Sequence, residues 1–415
     1  MKSFQYRTLG IGIVFLVAGL GTAAAATVCK VQAYGAKGDG VTKDTAAIQA
    51  AIDDCARRGG GTVRLADAAK FVSAPVVLKS GITLEIAKGT TLEASQDHDD
   101  FPLKEEFRDK GRQSLISAKN AQNLTITGGG VIDGRGESWW NHRKPGDARP
   151  RLIVFDHCRH IRMENITVEN SPMWQIVPYY SDDLVFRNMK ILAPYHVSHN
   201  TDGIDPFSST HVVIEHVLID TGDDNIAIKS GQPGSTGGDA PTRDVTIKDC
   251  VFLHGHGLSV GSEVAGGVQN VRAERITFKG TEHGIRIKSN RDRGNDIGNF
   301  LFKDITMEGV EQPIVISEFY PKIPKTIVAA PLTRLTPHFH DITFENIKAT
   351  GADEAMTIVG LPESPVLNLK MKNVHISAKT GATIQYADIN TTGLVINAEQ
   401  GKALMVGDGV KGNLK

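Results

Sequence analysis

The chain has 415 residues, with 46 Lys and Arg against 47 Asp and Glu. That length exceeds the ~250–300 residues at which one globular core stops growing, so the sequence reads either as two domains or as a solenoid of stacked units. A net charge of −1 offers no general attraction for nucleic acid or anionic membranes, and any grip on an anionic substrate must be local.

In chain order, the opening "MKSFQYRTLGIGIVFLVAGLGTAAAA" places Lys2 and Arg7 before an apolar run from Leu9 to Leu20, then small residues. That order predicts a secretory signal peptide over residues 1–26, cleaved after Ala25 or Ala26. The run falls short of the ~20 residues a membrane anchor needs. The expectation is a secreted protein, extracellular or periplasmic, with one catalytic domain over 27–415 and no membrane attachment after cleavage. Losing Lys2 and Arg7 moves the net charge to about −3.

Four cysteines in an exported chain invite disulfides. Cys29 and Cys55 flank the first predicted helix and are suspected to tie the N-terminus to it. Cys250 sits among strand residues and reads as an inert core thiol. Cys158 has no assignment. No CxxC pair occurs, which speaks against a zinc site.

In "DTAAIQAAIDDCARRGGG", Asp44 is placed to cap a helix whose apolar face is Ile48, Ala51, Ile52 and Cys55. Gly59, Gly60 and Gly61 end it. No other helix is expected.

Beyond it the sequence repeats. "NLTITG" from Asn123, "HIRMENITV" from His160, "DLVFRNMKI" from Asp183 and "HVVIEHVLI" from His211 share one pattern. "DVTIKDCVF" from Asp244, "NVRAERITF" from Asn270, "NFLFKDITM" from Asn299, "DITFENIKA" from Asp341 and "NLKMKNVHI" from Asn368 continue it. Each copy has a polar opener, an alternating strand, a short polar corner and a second strand. Self-similarity at this spacing marks a solenoid. The reading is all-β, a parallel β-helix with a short N-terminal capping helix. Alternate residues such as Ile161, Met163 and Ile166 point inward, and coils stack ~4.8 Å apart. A leucine-rich horseshoe would need a regular leucine frame. A sandwich would need Asn-Gly or Asp-Gly hairpin turns.

One set of outward polar residues is more than solvation. "HNTDGIDP" carries Asn200, Asp202 and Asp205; the next repeat carries Asp223 and Asp224; the next has His256 and Ser259; the next has Arg286 and Lys288. Stacked coils would align these groups up one wall. Cleaving a glycosidic bond without a cofactor takes two carboxyl groups, one to donate a proton and one to activate water or attack carbon. Clustered carboxylates help, because a neighbouring negative charge raises the pKa of one. Asp205, before Pro206, reads as a turn residue. Adjacent strand residues face opposite ways, so bringing both Asp223 and Asp224 to a cleft requires the backbone to turn near Gly222.

Arg286 and Lys288 are two apart and share a face, with Ile285 and Ile287 inward. They suit a sugar carboxylate, with a solvated outer face as the bland alternative. His256, between two glycines, would hold a neighbouring acid or bond a sugar hydroxyl; a corner role, or metal ligation with His254, stays open, though too few ligands assemble. Trp139 and Trp140 are placed either to stack on sugar rings or to pack in the core.

The set Asn200-Thr201-Asp202, Gly222-Asp223-Asp224, Gly255-His256-Gly257 and Arg286-Ile287-Lys288 resembles the four signature motifs of the polygalacturonases, glycoside hydrolase family 28. "YGAKGDGVTKDTAAIQAAI" and "RPRLIVFDHC" are also similar to that family. The resemblance implies a right-handed parallel β-helix that hydrolyses α-1,4-linked galacturonan with inversion, with no cofactor and no metal. It implies Asp223 as general acid, Asp202 and Asp224 as activators of water, and His256 beside them. It further implies Arg286, Lys288, Tyr320, Asn200 and Lys229 as substrate-binding residues. The expected partner is pectin polysaccharide, the expected state a monomer, the expected action endo. Exo action or a rhamnogalacturonan substrate is the near alternative, and the segment Gln312–His340 is a candidate loop for deciding it. A calcium-dependent pectate lyase or a non-catalytic β-helix binding protein is the distant one. Inversion itself rests on the resemblance. A coil step of ~4.8 Å sits nearer the ~5–5.5 Å carboxyl separation of retaining enzymes than the ~6.5–9.5 Å of inverting ones.

Overall fold

Alternation of apolar and polar residues at period two builds strands with one buried face, and here the buried faces close around a common axis. The structure, a computed structural model, describes residues 1–2, 27–106, 109–141, 147–234 and 240–414. Apart from its first two residues, the expected signal peptide lies outside the described residues. The chain winds as a parallel β-helix with three walls. Strands Arg159–Glu164, Thr242–Lys248 and Val268–Glu274 belong to the first wall. Thr167–Glu169, Val251–Phe252 and Thr277–Lys279 belong to the second. Ile176–Tyr179, Ile226–Ile228, Leu258–Val260, His283–Lys288 and Gln312–Ser317 belong to the third. Longer strands such as Asp182–Leu192 and Thr210–Asp220 run through the corner between the first two walls.

In-register pairing stacks like on like. On the first wall, Leu124, Ile161, Leu184, Val212, Val245, Val271, Phe300, Ile342, Leu369 and Ile389 form one continuous file. All of them are buried. Phe302 stacks on Phe344 at 5.1 Å, and Phe252 meets Phe278 edge-on at the same distance. Ile161, Met163 and Ile166 are interior, as their alternation predicts.

The polar openers have a backbone reason. Asn123, His160, Asp183, His211, Asp244, Asn270, Asn299, Asp341 and Asn368 all have φ between 50° and 61°. Five residues on, Asn165, Asn188, His216, Asp249, Arg275, Asp304, Asn346 and Asn373 also have positive φ. These two columns are where each coil turns, and Asn, Asp and His tolerate the left-handed region better than most residues. Side-chain ladders join them: Asn346 Nδ2 donates to Asp304 Oδ1 at 2.7 Å, and Asn373 Nδ2 to Asn346 Oδ1 at 2.9 Å.

The helix Thr45–Arg57 covers one end of the core and buries Ile48, Ala51, Ile52 and Cys55 completely. Cys29 and Cys55 form a disulfide, with Cα atoms 6.2 Å apart. Asp44 stands at the N-cap position but does not cap the helix with its side chain. Its carboxylate accepts instead from the backbone amides of Lys37 and Gly38, at 2.6 and 3.0 Å. A second helical turn, Glu137–Trp140, was not expected. It buries both tryptophans: Trp139 stacks on His98 at 3.5 Å, and Trp140 Nε1 donates to the Ser171 carbonyl at 3.1 Å. Neither is a platform for sugars. Cys158 and Cys250 are free and buried, and burial pushes their thiols up to about 11 and about 12. After Ser317 the chain leaves the third wall for a long excursion, residues 318–337, and resumes on the first wall at His338.

Candidate active site

The third wall gathers the polar set. Ile204 pairs with Ile226, Ile226 with Leu258, and Leu258 with Ile285. Asp202, Asp224, His256 and His283 each stand two residues before one of these, so the corner entering the wall presents one of them per coil. Arg286 pairs with Ser259 across the next step, outward of Ile285 and Ile287, which are fully buried.

Asp223 and Asp224 both meet polar groups of this wall, Asp223 through Asn200 and His256 and Asp224 through Arg286 and Lys288, because the chain bends ahead of Ile226–Ile228. Gly222 allows it by close approach: a Cβ there would sit 2.3 Å from the Ser198 carbonyl. Asn225 fastens this bend to the next coil, donating from Nδ2 to the His254 carbonyl at 2.7 Å and accepting from the Gly257 amide at 2.9 Å.

Each acid has a different environment. Asp224 is 1% exposed. It accepts from Arg286 Nη2 at 2.6 Å, Lys288 Nζ at 2.8 Å and Ser259 Oγ at 2.7 Å. Burial alone would raise its pKa, but Lys288 and then Arg286 outweigh that and hold it well below the usual carboxylate range. Asp202 goes the other way. Burial, then the charges of Asp205 and Asp223, push it well above its ordinary value, only partly offset by Lys229. Asp223 is paired with His256, Nδ1 to Oδ1 at 3.1 Å. Burial raises Asp223, yet the histidine contact leaves it lowered, while the same contact raises His256 against its own burial. The unlike environments follow the rule that neighbours and burial separate the pKa values of clustered acids.

Asp205 is not a turn residue. It is fully buried, its carboxylate oxygens have no protein hydrogen bond among the described residues, and burial pushes its pKa well up. Lys229, also buried, lies between the acids: 3.2 Å from Glu263 Oε2 and 4.0 Å from Asp202 Oδ2, with its ammonium 5.1 Å from the Trp174 ring centre. Asn200, at φ 63°, donates to Asp223 Oδ2 at 3.2 Å and accepts from Arg149 Nη2 at 2.7 Å. Arg149 also donates to the carbonyls of Pro172 and His199. His256 has a second partner, Glu282 Oε2 at 3.3 Å from Nε2, and Tyr195 Oη donates to Glu282 Oε1 at 2.8 Å. Arg149 lies in the stretch "RPRLIVFDHC" and Asp205 in "HNTDGIDP" without a site role being legible there, and Asn225, Glu282 and Tyr195 have no motif signal that singles them out.

A cleft of about 820 Å³ runs from Arg286 and Lys288 along the later coils of the same wall. His283, Tyr320, Thr357, Thr383 and residues 321–327 line it. Lys288 Nζ stands 5.3 Å from the Tyr320 ring centre. The candidate loop is therefore shorter than Gln312–His340, because both ends of that segment are wall strand. The wall thus carries an acid held low by two cations, an acid raised by burial, an acid–imidazole pair and two cations beside a cleft. That arrangement can donate a proton and activate water across one bond while holding an anion.

The sequence model of Glycosyl hydrolases family 28 matches residues 62–394. A probable polygalacturonase from Vitis vinifera is 32% identical over 367 residues, covering 83% of this chain and 74% of its own. An endo-polygalacturonase from Pectobacterium carotovorum subsp. carotovorum is 31% identical over 355 residues, covering 80% and 84%. Among solved structures, a hyperthermoactive exopolygalacturonase from Thermotoga maritima superposes with a TM-score of 0.80 at 27% identity, covering 89% of this chain and 92% of its own. The polygalacturonase from Erwinia carotovora ssp. carotovora gives 0.74 at 29%, covering 88% and 96%.

Proposed function

The chain belongs to Glycosyl hydrolases family 28, and from that premise we propose that it hydrolyses the galacturonan backbone of pectin by an inverting acid–base mechanism. The observation that carries this reading is the pairing of Asp224 with Arg286 and Lys288, which line the end of the cleft, with Asp223 beside it in the chain and Asp202 on the preceding coil of the same wall.

Asp223 is the general acid. Its partner His256 shares one transferable proton with it across 3.1 Å, so the pair can deliver that proton to the leaving oxygen. Asp202 and Asp224 activate the attacking water: Asp224, held low by Lys288 and Arg286, takes its proton, and Asp202, raised by burial, holds the water in place. Arg286 and Lys288 take the galacturonate carboxylate. In the free site they neutralise Asp224; sharing them with a substrate carboxylate makes Asp224 more basic where a base is needed. Tyr320 borders the sugar next to these cations. Asn200 holds Asp223, and Lys229 keeps the buried acids behind the reaction centre compensated.

The proposed action is endo, supported by the names of the Pectobacterium relatives, both endo-polygalacturonases, at 31% and 32% identity, and by a cleft that continues over several coils. Export by the N-terminal 26 residues suits an enzyme of extracellular polysaccharide. No helix among the described residues is long and apolar enough to cross a membrane.

The test is release of reducing ends from polygalacturonate, followed together with viscosity. Viscosity falling well ahead of reducing ends supports endo action; parallel change supports exo. Asp223→Asn is expected to fold normally and lose several orders of magnitude in rate. Near-wild-type turnover in that variant removes Asp223 as the acid, and ultraviolet-absorbing products would indicate elimination instead of hydrolysis.

A further inference from the structure

A second cluster of ligating groups stands on a different wall from the acids. Strand Asp296–Glu308 pairs in parallel with His338–Val359, and Asp296 lies directly beside His338, with His340 two residues on, beside Gly298. His338 and His340 therefore share the face that Asp296 presents. One ligand atom from each of the three lies within 4.8 Å of the others. The ring of His340 occupies space that any larger residue at 298 would fill: a Cβ on Gly298 would come within 2.6 Å of His340 Cε1.

The groups behind these three are arranged as well. His340 Nε2 faces Asp296 Oδ1 at 2.8 Å, while its Nδ1 is held by Asp341 Oδ2 at 2.7 Å. The other oxygen of Asp296 accepts from Gln269 Nε2. A carboxylate on the far nitrogen of an imidazole, and a donor on the far oxygen of a carboxylate, are what fix metal ligands in orientation. We propose that Asp296, His338 and His340 form a site for a divalent transition metal of the Zn2+ class.

Two imidazoles and one carboxylate suit zinc and its neighbours better than calcium or magnesium, which prefer all-oxygen shells. Bonds of ~2.0–2.2 Å set tetrahedral ligands about 3.3 Å apart, so modest side-chain rotation closes the present spacing. Water completes the shell on the solvent side. On binding, the metal replaces the hydrogen-bonded proton between His340 Nε2 and Asp296, and that proton leaves to solvent.

The site's place in the fold gives the metal a task. Asp296 begins the strand that follows residues 289–295, and Asn290 in that segment donates to the Tyr320 carbonyl at 2.8 Å. His338 begins the strand that follows residues 318–337, part of which lines the cleft. A bridging ion would staple the returns of both segments and stabilise the cleft without entering it.

The test uses the untagged protein, freed of metal by a chelator and titrated calorimetrically with ZnCl2 near neutral pH. One equivalent is expected to bind, with a melting temperature raised by excess metal. His338→Ala and Asp296→Asn should each weaken binding at least tenfold, and Asp341→Asn by roughly 10–100-fold. All three should keep turnover on polygalacturonate. His256→Ala, which disables the other cluster of acids and imidazole, should leave zinc affinity unchanged. Binding that is absent in the wild type, that survives His338→Ala, or that disappears with His256→Ala overturns the assignment.

Discussion

His256 holds Asp223 Oδ1 3.1 Å from its Nδ1 and is itself met on the opposite edge by Glu282 Oε2, 3.3 Å from Nε2. The ring is pinned between two carboxylates, one facing the reaction and one backed by Tyr195. Burial disfavours a charged imidazole here, and Asp223 outweighs it, so His256 titrates above its ordinary value.

A pH dependence follows from that pinning. The proton shared by His256 and Asp223 is present below the raised pKa of the imidazole and lost as pH rises through it. The alkaline limb of kcat/KM should therefore lie above the ordinary histidine value. Glu282→Gln removes a negative partner and should shift that limb to lower pH, with kcat reduced less than in Asp223→Asn. An unmoved limb would show that His256 does not govern the proton.

Lys288→Met tests the ion pairs of Asp224. The lysine and Asp224 are both nearly inaccessible, and removing the lysine leaves Asp224 to Arg286 alone, so the loss should sit at the low end of a broken buried pair, about 3 kcal/mol. Urea unfolding should show a stability loss of that order, with a larger defect on acidic galacturonan than on fully methyl-esterified pectin. Equal defects on both substrates would mean that the lysine serves Asp224 alone.

Asp205 offers a stability measurement independent of catalysis. Its folded pKa is raised by burial, so the folded chain binds a proton that the unfolded chain releases above the ordinary aspartate value. The contribution is fully present below that value and declines as pH rises toward the folded pKa. Asp205→Asn, which is neutral throughout, should flatten this decline, so that its melting temperature gains on the wild type as pH rises from about 4 to 7. Parallel melting curves across that window would place the charge elsewhere.

The disulfide closes a loop across a separation of 26 residues, for which chain entropy gives about 3.5 kcal/mol. Replacing both cysteines by serine should lower the melting temperature and expose the first coils to protease before the rest. Turnover at room temperature should persist, because the acids and cations lie several coils away. An unchanged melting temperature would show that the helix holds by packing alone.

The architecture was legible because inward residues recur in every coil, from Ile161 to Leu369, and because the acids and cations fall in order on successive repeats. The corners were visible only as polarity: Asn123 or Asn346 looks the same whether it meets water or adopts positive φ. Asp205 misled because Asp-Pro is a local turn signal, while its burial and the charges of Lys229 and Glu263 that act on it depend on the coil stacking. Glu282 and Tyr195 were missed for a similar reason: their hydrogen bond spans 87 residues of sequence. Asp44 occupied its predicted place, yet a loop competed successfully for its carboxylate.

The coil-by-coil construction of the third wall has a kinetic corollary. Asp202 and Asp224 enter before the cations that neutralise the latter, because Arg286 and Lys288 belong to the coil after His256. A solenoid that zips from its helix-covered end must carry Asp224 inward while its counterions are still unplaced, and one that frays from the far end strips those counterions first. The step that docks His283–Lys288 is thus where assembly and chemistry become one event, and hydrogen exchange should see that strand and Asp224 protect together.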